Sequence, residues 1–296
     1  MKILITGGSG FIGTHLYNQL HKEHTVYRID NFKTSKKVDG VIPMDLSDLS
    51  EAQILWLRRL LVDIDVVYHF ASSIGVDLIG EEPKETLQNS FKINNTMFPL
   101  FEEAQCKVIY ASTSEVYGSS EKPMSERDKL VIGAPTQMRW GYACQKLMSE
   151  FLIKTYTFPY TVVRFFNVTG RGQLPTYGMV LPRFVEASKN AKNALQVYGD
   201  GSQVRSFCDV RDAVNVLEIL LTEMNGEILN IGADNVIDML QLAEMVIELS
   251  PVFADIEMIP EARTNAEINT RIPDISKMKT IYTPKYSLQN IIESMF

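Results

Sequence analysis

Lys2-Ile3-Leu4-Ile5-Thr6-Gly7-Gly8-Ser9-Gly10-Phe11-Ile12-Gly13 stands at the head of the chain and decides its fold. Residues 2–6 read as a strand, the glycines follow at once, and residues 11–22 carry apolar side chains at helical spacing. In a strand–turn–helix of this kind Gly7 allows the tight turn. Gly10 lets the backbone approach a pyrophosphate seated on the helix N-terminus, and Gly13 lets that helix, entered through Phe11 and Ile12, pack closely on the sheet. The next strand, Val26-Tyr27-Arg28-Ile29-Asp30, ends on a carboxylate. Placed there, Asp30 accepts hydrogen bonds from an adenosine ribose and repels a 2′-phosphate, which favours NAD over NADP. The cations Arg28, Lys33, Lys36 and Lys37 lie close by and soften that preference. An ordinary glycine turn without a ligand would not need the carboxylate at that distance.

Working outward, helix 49–62, strand 66–70, helix 85–104, strand 107–111, helix 136–157 and strand 161–165 continue the alternation. Strands that are apolar on both faces and separated by helices predict a parallel sheet covered on both sides. That is a doubly wound α/β Rossmann sheet, whose ligands gather at the carboxyl ends of its strands. After about residue 166 the elements shorten and Gly/Pro loops interrupt them. Helices are expected near 180–190, 211–223, 238–249 and 287–295, with strands near 195–198, 204–208, 228–231 and 255–259. The division expected is an NAD-binding domain over 1–166 and a smaller α/β substrate region over 167–296, with an interleaved boundary.

Composition narrows the class. The 296 residues are 45% hydrophobic and 22% charged, as in soluble enzymes and unlike disordered or fibrous chains. A net charge of −7 offers nothing to nucleic acid or to an anionic membrane. No apolar run is long enough for a membrane span, and the N-terminus lacks the pattern of a signal peptide. Cys106, Cys144 and Cys208 are far apart, with no CxxC and no paired histidines. They point to free thiols in a reducing cytoplasm and to no metal site.

Two stretches carry chemistry. Tyr142-Ala143-Cys144-Gln145-Lys146 puts a phenol and an ammonium on one helix face, where the ammonium would favour the phenolate. Ser112-Thr113-Ser114-Glu115-Val116-Tyr117-Gly118 follows the strand 107–111. Thr113 can orient a substrate hydroxyl, and Glu115 adds a carboxylate that simple hydride transfer does not require. A solvated turn is the alternative reading of Glu115.

Taken in order, GGSGFIG, Asp30, His69-Phe70-Ala71, STSEVYG and YACQK resemble the extended short-chain dehydrogenases/reductases. These are the NAD-dependent nucleotide-sugar epimerases, dehydratases and decarboxylases. The likeness continues through Arg164-Phe165-Phe166-Asn167-Val168-Thr169-Gly170, Val197-Tyr198-Gly199-Asp200-Gly201, Arg205-Ser206-Phe207 and Arg271-Ile272-Pro273-Asp274. STSEVYG with Arg139-Trp140-Gly141-Tyr142-Ala143 looks most like the UDP-glucuronate decarboxylase and UDP-apiose/xylose synthase branch, though GDP-mannose 4,6-dehydratases share Thr-Ser-Glu. The resemblance implies catalytic roles for Thr113, Tyr142 and Lys146, with Glu115 as the extra carboxylate of decarboxylases and dehydratases. Cofactor contacts are implied for Gly7, Gly10, Phe11, Ile12, Gly13, Asp30, Asn31, Asp45, Leu46, Phe70 and Ala71, besides Tyr142 and Lys146. Asn167, Arg205 and Arg271 are the implied holders of the nucleotide diphosphate or sugar.

Two departures stand out. Gly170-Arg171-Gly172 replaces the family's Gly-Pro-Arg, and Asn-x-x-Gly-Thr is not intact around Asn94-Asn95-Thr96, to which no role is given. The implied reaction begins with oxidation at the sugar C4. A C6 carboxylate then leads to decarboxylation, a C6 hydroxyl to dehydration, and turnover of the ketone to the 4-epimer. Decarboxylation of a UDP-linked sugar is favoured, with 4-epimerase and 4,6-dehydratase as alternatives. A non-catalytic NAD sensor is the alternative of another class. Surplus apolar residues on helices 85–104 (Met97, Phe98, Leu100, Phe101) and 136–157 (Leu147, Met148, Phe151, Leu152) suit a homodimer contact, and the resemblance implies one too.

Overall fold

Every residue of strand β1 (Lys2–Thr6) after Lys2 is buried, as a strand covered on both faces requires. The computed structural model describes residues 1–72, 82–176, 178–189, 193–260 and 268–296. Around β1 stand β2 (Thr25–Asp30), β3 (Ile42–Pro43), β4 (Val66–His69), β5 (Lys107–Thr113), β6 (Tyr160–Phe165) and β11 (Glu227–Ile231). They form one seven-stranded sheet in the order β3-β2-β1-β4-β5-β6-β11, with every pairing parallel. The chain winds one way from β1 to β3 and the other from β4 onward. The crevice beyond the carboxyl ends of β1 and β4 is therefore the switch point where ligands bind. The expected doubly wound architecture is the one observed.

Alternation along β1 divides the core. Ile3 and Ile5 face helices α1 (Phe11–Leu20) and α6 (Val210–Ile219), packing with Leu16, Leu20, Ala213 and Leu217. Leu4 faces the other side, where Leu57 of α2 (Glu51–Leu61), Phe98 and Phe101 of α3 (Pro83–Ala104) and Ile153 of α4 (Arg139–Ile153) meet Val67, Val108 and Val162. The helix starts have local causes: Ser50 and Gln53 make a capping box on α2, and Pro83 occupies the first turn of α3. A third core, with Phe184 of α5 (Val180–Ser188), Val197 of β8 (Ala194–Tyr198), Leu242 of α7 (Met239–Leu249) and Ile291 of α8 (Leu288–Met295), supports the C-terminal region.

The strand expected near 228–231 reads like the short strands around it, yet as β11 it is the seventh strand of the main sheet. Its residue Asn230 is saturated: the backbone N–H donates to Glu126 Oε1 (2.8 Å) and the amide to the Met124 and Asp274 carbonyls (2.9 and 3.1 Å). Its Oδ1 accepts from the Tyr117 hydroxyl (2.7 Å). The stretch expected as one strand over 204–208 splits into β9 (Val204–Ser206) and β10 (Cys208–Asp209), because the Phe207 N–H turns away to the Asn235 carbonyl. β9 pairs with β14 (Thr270–Arg271), setting Arg205 beside Arg271. Two-residue strands such as β3 and β14 are too short to show a periodicity.

Candidate active site

The mouth of β1 and β2 is built mostly from backbone. A Cβ at Gly13 would lie 2.4 Å from the Gly7 carbonyl, so only glycine lets α1 start that close to the turn. Gly10 is the N-cap of α1 and no side chain caps the helix, which leaves its first N–H groups facing the crevice. Ser9 Oγ is buried without a partner among the described residues. The Asp30 carboxylate is held by the N–H groups of Ser9 (3.0 Å) and Phe32 (2.8 Å) and by the Ser35 hydroxyl (3.1 Å). Asn31 donates to Asp45 (3.3 Å), whose other oxygen takes the N–H and hydroxyl of Ser47. Leu46 drops into the core beside them. Phe70 and Ala71 follow β4, with their N–H groups on the carbonyl and hydroxyl of Thr6. Phe11, Ile12 and Phe70 pack against one core. Glycines without Cβ room, uncapped N–H groups, an unpartnered hydroxyl and a ribose-height carboxylate fit a dinucleotide.

The second cluster lies beyond β5. Glu115 sits in the 3-10 turn Ser114–Tyr117 and is buried. Arg139 grips it with two bonds, Nε to Oε2 and Nη2 to Oε1, both 3.0 Å, and Arg271 Nη1 meets Oε1 at 2.6 Å. Burial works to raise the Glu115 pKa, but the two guanidinium groups overcome it and hold it down at about 2. One carboxylate therefore faces two cations. Arg271 is itself buried, and its Nε and Nη2 find no partner among the described residues.

Tyr142 lies close to Thr113. Its phenol is pushed above its usual value, chiefly by burial and then by the Glu115 charge, with the Thr113 hydroxyl acting the other way. The sequence leads one to expect the opposite shift. It is absent because Lys146 turns its ammonium to the Ala111 carbonyl (2.8 Å) and over the Tyr110 ring (5.2 Å). Lys146 is drawn down to about 7 by burial, against the pull of Glu150.

A model described as "NAD dependent epimerase/dehydratase family" matches residues 3–232 of this chain. The chain belongs to that family. A UDP-N-acetyl-alpha-D-glucosaminuronate decarboxylase of Bacillus cytotoxicus is 36% identical over 94% of this chain and 90% of its own length. UDP-glucuronic acid decarboxylase 1 of Danio rerio is 31% identical over 95% of this chain and 68% of its own length. Among solved structures, the UDP-glucuronic acid 4-epimerase from Bacillus cereus, in complex with UDP-glucuronic acid and NAD, superposes with a TM-score of 0.84. That likeness has 27% identity and covers 99% of this chain and 97% of the other. The chain is an NAD-dependent enzyme of the epimerase/dehydratase family.

Several of the residues singled out in the sequence lie together. Thr113, Tyr142, Glu115 and Arg271 meet, and Arg205 lies next to Arg271 in register on β9. Arg205 Nη1 is taken up by the Val204 and Asn269 carbonyls (2.8 and 3.1 Å). Asn167, at a left-handed φ of 36°, donates its amide to the Ser206 carbonyl (2.8 Å) and so joins the same strand. In the departing loop, His15 Nε2 donates to the Arg171 carbonyl (2.9 Å), tying it to α1. Arg139 has no role implied by its motif, yet it pairs with Glu115 through two bonds. Its signal is its place three residues, one helical turn, before Tyr142, on the same face. Among the described residues no group of His, Cys, Asp and Glu is arranged to hold a metal. No described helix is long and apolar enough to cross a membrane.

Proposed function

We propose that this enzyme decarboxylates a UDP-linked hexuronate by transient oxidation at C4. The observation that carries the reading is Arg271: its Nε and Nη2 are buried and have no hydrogen-bond partner among the described residues, and the carboxylate beside it is already paired with Arg139. A buried guanidinium that shares its counter-charge with a second arginine is costly until another anion reaches its open nitrogens. The C6 carboxylate of a uronate is an anion of that kind, at the right end of the sheet. The similar decarboxylases support the choice.

NAD, when bound, would supply the reversible hydride transfer at C4. Gly7, Gly10, Phe11, Ile12 and Gly13 would hold its pyrophosphate, Asp30 and Asn31 its ribose, and Asp45, Leu46, Phe70 and Ala71 its adenosine side. Tyr142 takes the proton of the C4 hydroxyl, Thr113 orients that hydroxyl, and Lys146, on the same helix face, would hold the cofactor's ribose. The sugar is then a ketone at C4 with a carboxylate β to it. As the C5–C6 bond breaks and carbon dioxide leaves, its electron pair moves onto the C4 oxygen, where the Tyr142 proton receives the charge. Glu115 is an anion throughout at neutral pH, because two arginines hold it there. It acts as a fixed negative charge that disfavours the neighbouring carboxylate and keeps Arg271 in place, rather than as a proton donor. Asn167 and Arg205 lie on the diphosphate side.

Incubation with UDP-glucuronate and, separately, UDP-N-acetylglucosaminuronate tests the reading. Carbon dioxide and the matching pentose nucleotide are the expected products. A product of unchanged mass, or one lighter by water, would transfer the assignment to epimerase or dehydratase.

The protein is further proposed to be a cytoplasmic homodimer. Its three cysteines are free. Met97, Phe98, Leu100 and Phe101 are spent in the core, but Phe91 of α3 and Met148 and Phe151 of α4 stay 49%, 56% and 59% exposed on two neighbouring helices. An apolar face of that size is ordinarily covered. The solution mass of the wild type should be that of a dimer, and Phe151→Glu should halve it.

A further inference from the structure

Between the two halves of the site runs a file of side-chain hydrogen bonds buried in the sheet and its covering helices. The Ala71 N–H donates to Thr6 Oγ1 (3.2 Å), and Thr6 Oγ1 lies 2.9 Å from His69 Nδ1. His69 Nε2 lies 3.1 Å from Asn94 Oδ1. The Asn94 amide donates to Ser149 Oγ (2.7 Å), and Ser149 Oγ donates to the Gln145 carbonyl (3.0 Å). Thr6, His69, Asn94 and Ser149 are all buried.

The direction of the file is fixed by chemistry. Asn94 Oδ1 only accepts, so His69 Nε2 carries the proton. Burial, with Lys146 adding to it, drives the imidazole pKa down to about 3, so the ring holds one proton. His69 Nδ1 must then accept from the Thr6 hydroxyl, whose oxygen takes the Ala71 N–H. Every polar hydrogen along the file has a single place to go. A buried network satisfied in one way only fixes geometry more sharply than an apolar contact of the same size.

The two ends give the file its meaning. Thr6 is the last residue of β1, directly before Gly7. The Gln145 carbonyl lies on the turn of α4 between Tyr142 and Lys146. A side branch, from the Asn94 amide to the Tyr110 hydroxyl (3.3 Å), reaches the ring on which the Lys146 ammonium rests. We infer that His69 is a positioning residue for the C4 oxidation: through Asn94 and Ser149 it holds the helix bearing Tyr142 and Lys146 in register with the glycine turn. The inference rests on the roles given to Tyr142 and Lys146 above.

The test uses purified protein with bound NAD and whichever of the two UDP-uronates the wild type turns over, and reads NAD reduction in a single turnover by its near-ultraviolet band. His69→Asn keeps an acceptor for Thr6 but is too short to reach Asn94. His69→Gln puts an amide N–H where Nε2 stood and remakes that link. A misplacement of this order predicts a loss of about 10- to 100-fold in the single-turnover rate of His69→Asn. KM and NAD affinity should stay within about twofold, and His69→Gln should regain most of the rate. Ser149→Ala, which cuts the file at its far end without touching β4, should show the same rate-only loss and serves if His69→Asn does not fold. Equal losses in the Asn and Gln variants, losses that follow the melting temperature, or full rates in His69→Asn and Ser149→Ala would each overturn the inference. Tyr142→Phe is run alongside. A full-rate Tyr142→Phe removes the underlying assignment, whereas a slow Tyr142→Phe beside a full-rate His69→Asn removes only the role of the file.

Discussion

The mouth of β1 and β2 and the mouth of β5 hold the two halves of one ligand environment in different ways. The first is made of backbone N–H groups, missing Cβ atoms and the short carboxylates Asp30 and Asp45. The second is made of long charged side chains: Glu115 on its 3-10 turn, Arg139 on α4 and Arg271 on β14. Backbone recognition is spread over many weak contacts. The charged cluster concentrates its energy in a few groups from distant parts of the chain. Damage to single side chains should therefore be far more costly at β5 than at β1.

The sharpest case is Tyr142→Phe. Loss of the general base should slow C4 oxidation by about 10²–10⁴-fold, read as the rate of NAD reduction, with the melting temperature little changed. A smaller loss would mean that the chemistry of this mouth is shared more widely.

Next is Arg271→Met. Truncating one partner of a buried charge pair costs about 2–5 kcal/mol at a binding site, so KM for a UDP-uronate should rise by about 30-fold or more. Glu115 keeps Arg139, and the fold should hold. A UDP-hexose, whose sugar carries no charge, should bind nearly as before. Equal weakening of both sugars would put Arg271 on the diphosphate rather than on the uronate.

At the other mouth, Asp30→Ala removes the carboxylate at the end of β2. Hydrogen bonds to a charged group contribute about 1.5–3 kcal/mol, so NAD affinity should fall by about 10- to 100-fold in direct titration, with NADP gaining relative to NAD. Equal affinity of the wild type for both cofactors would remove Asp30 from the ribose.

The smallest effect concerns stability. Lys146 has a folded pKa of about 7, below its ordinary 10.5. Between those values the unfolded chain binds the extra proton, so cofactor-free wild type should gain stability as pH rises through that window. Lys146→Met should abolish the rise and, near neutral pH, melt a few degrees above wild type while losing activity. A lower melting point would show that the Ala111 carbonyl contact outweighs the desolvation of the ammonium.

The same contrast explains what the sequence could disclose. The glycine turn, Asp30 and the Tyr142–Lys146 spacing are local, and their meaning lies within one strand and one helix. Glu115 is visible as a loop carboxylate, but its partners lie 24 residues away on a helix and on a two-residue strand near the chain's end. No periodicity marks β14, so Arg271 is legible through family resemblance alone. Arg139 could have been found from its position one turn before Tyr142. The role of His69 is hidden because Asn94, 25 residues on, becomes its neighbour only when α3 folds over β4. The membership of β11 in the main sheet was equally hidden, since a short apolar run does not say which strand it will join.

The sheet's two outermost strands decide how the protein behaves in crowded solution. An open strand edge is a template on which further chains can hydrogen-bond and grow into aggregates. β3 is only two residues long and ends on Pro43, which has no N–H to offer. On β11 the loops around Met124, Glu126 and Asp274 occupy the hydrogen-bonding groups of Asn230. Strand-by-strand growth is thereby blocked at both ends, and association is directed toward helix faces, where contact is limited in extent and self-terminating.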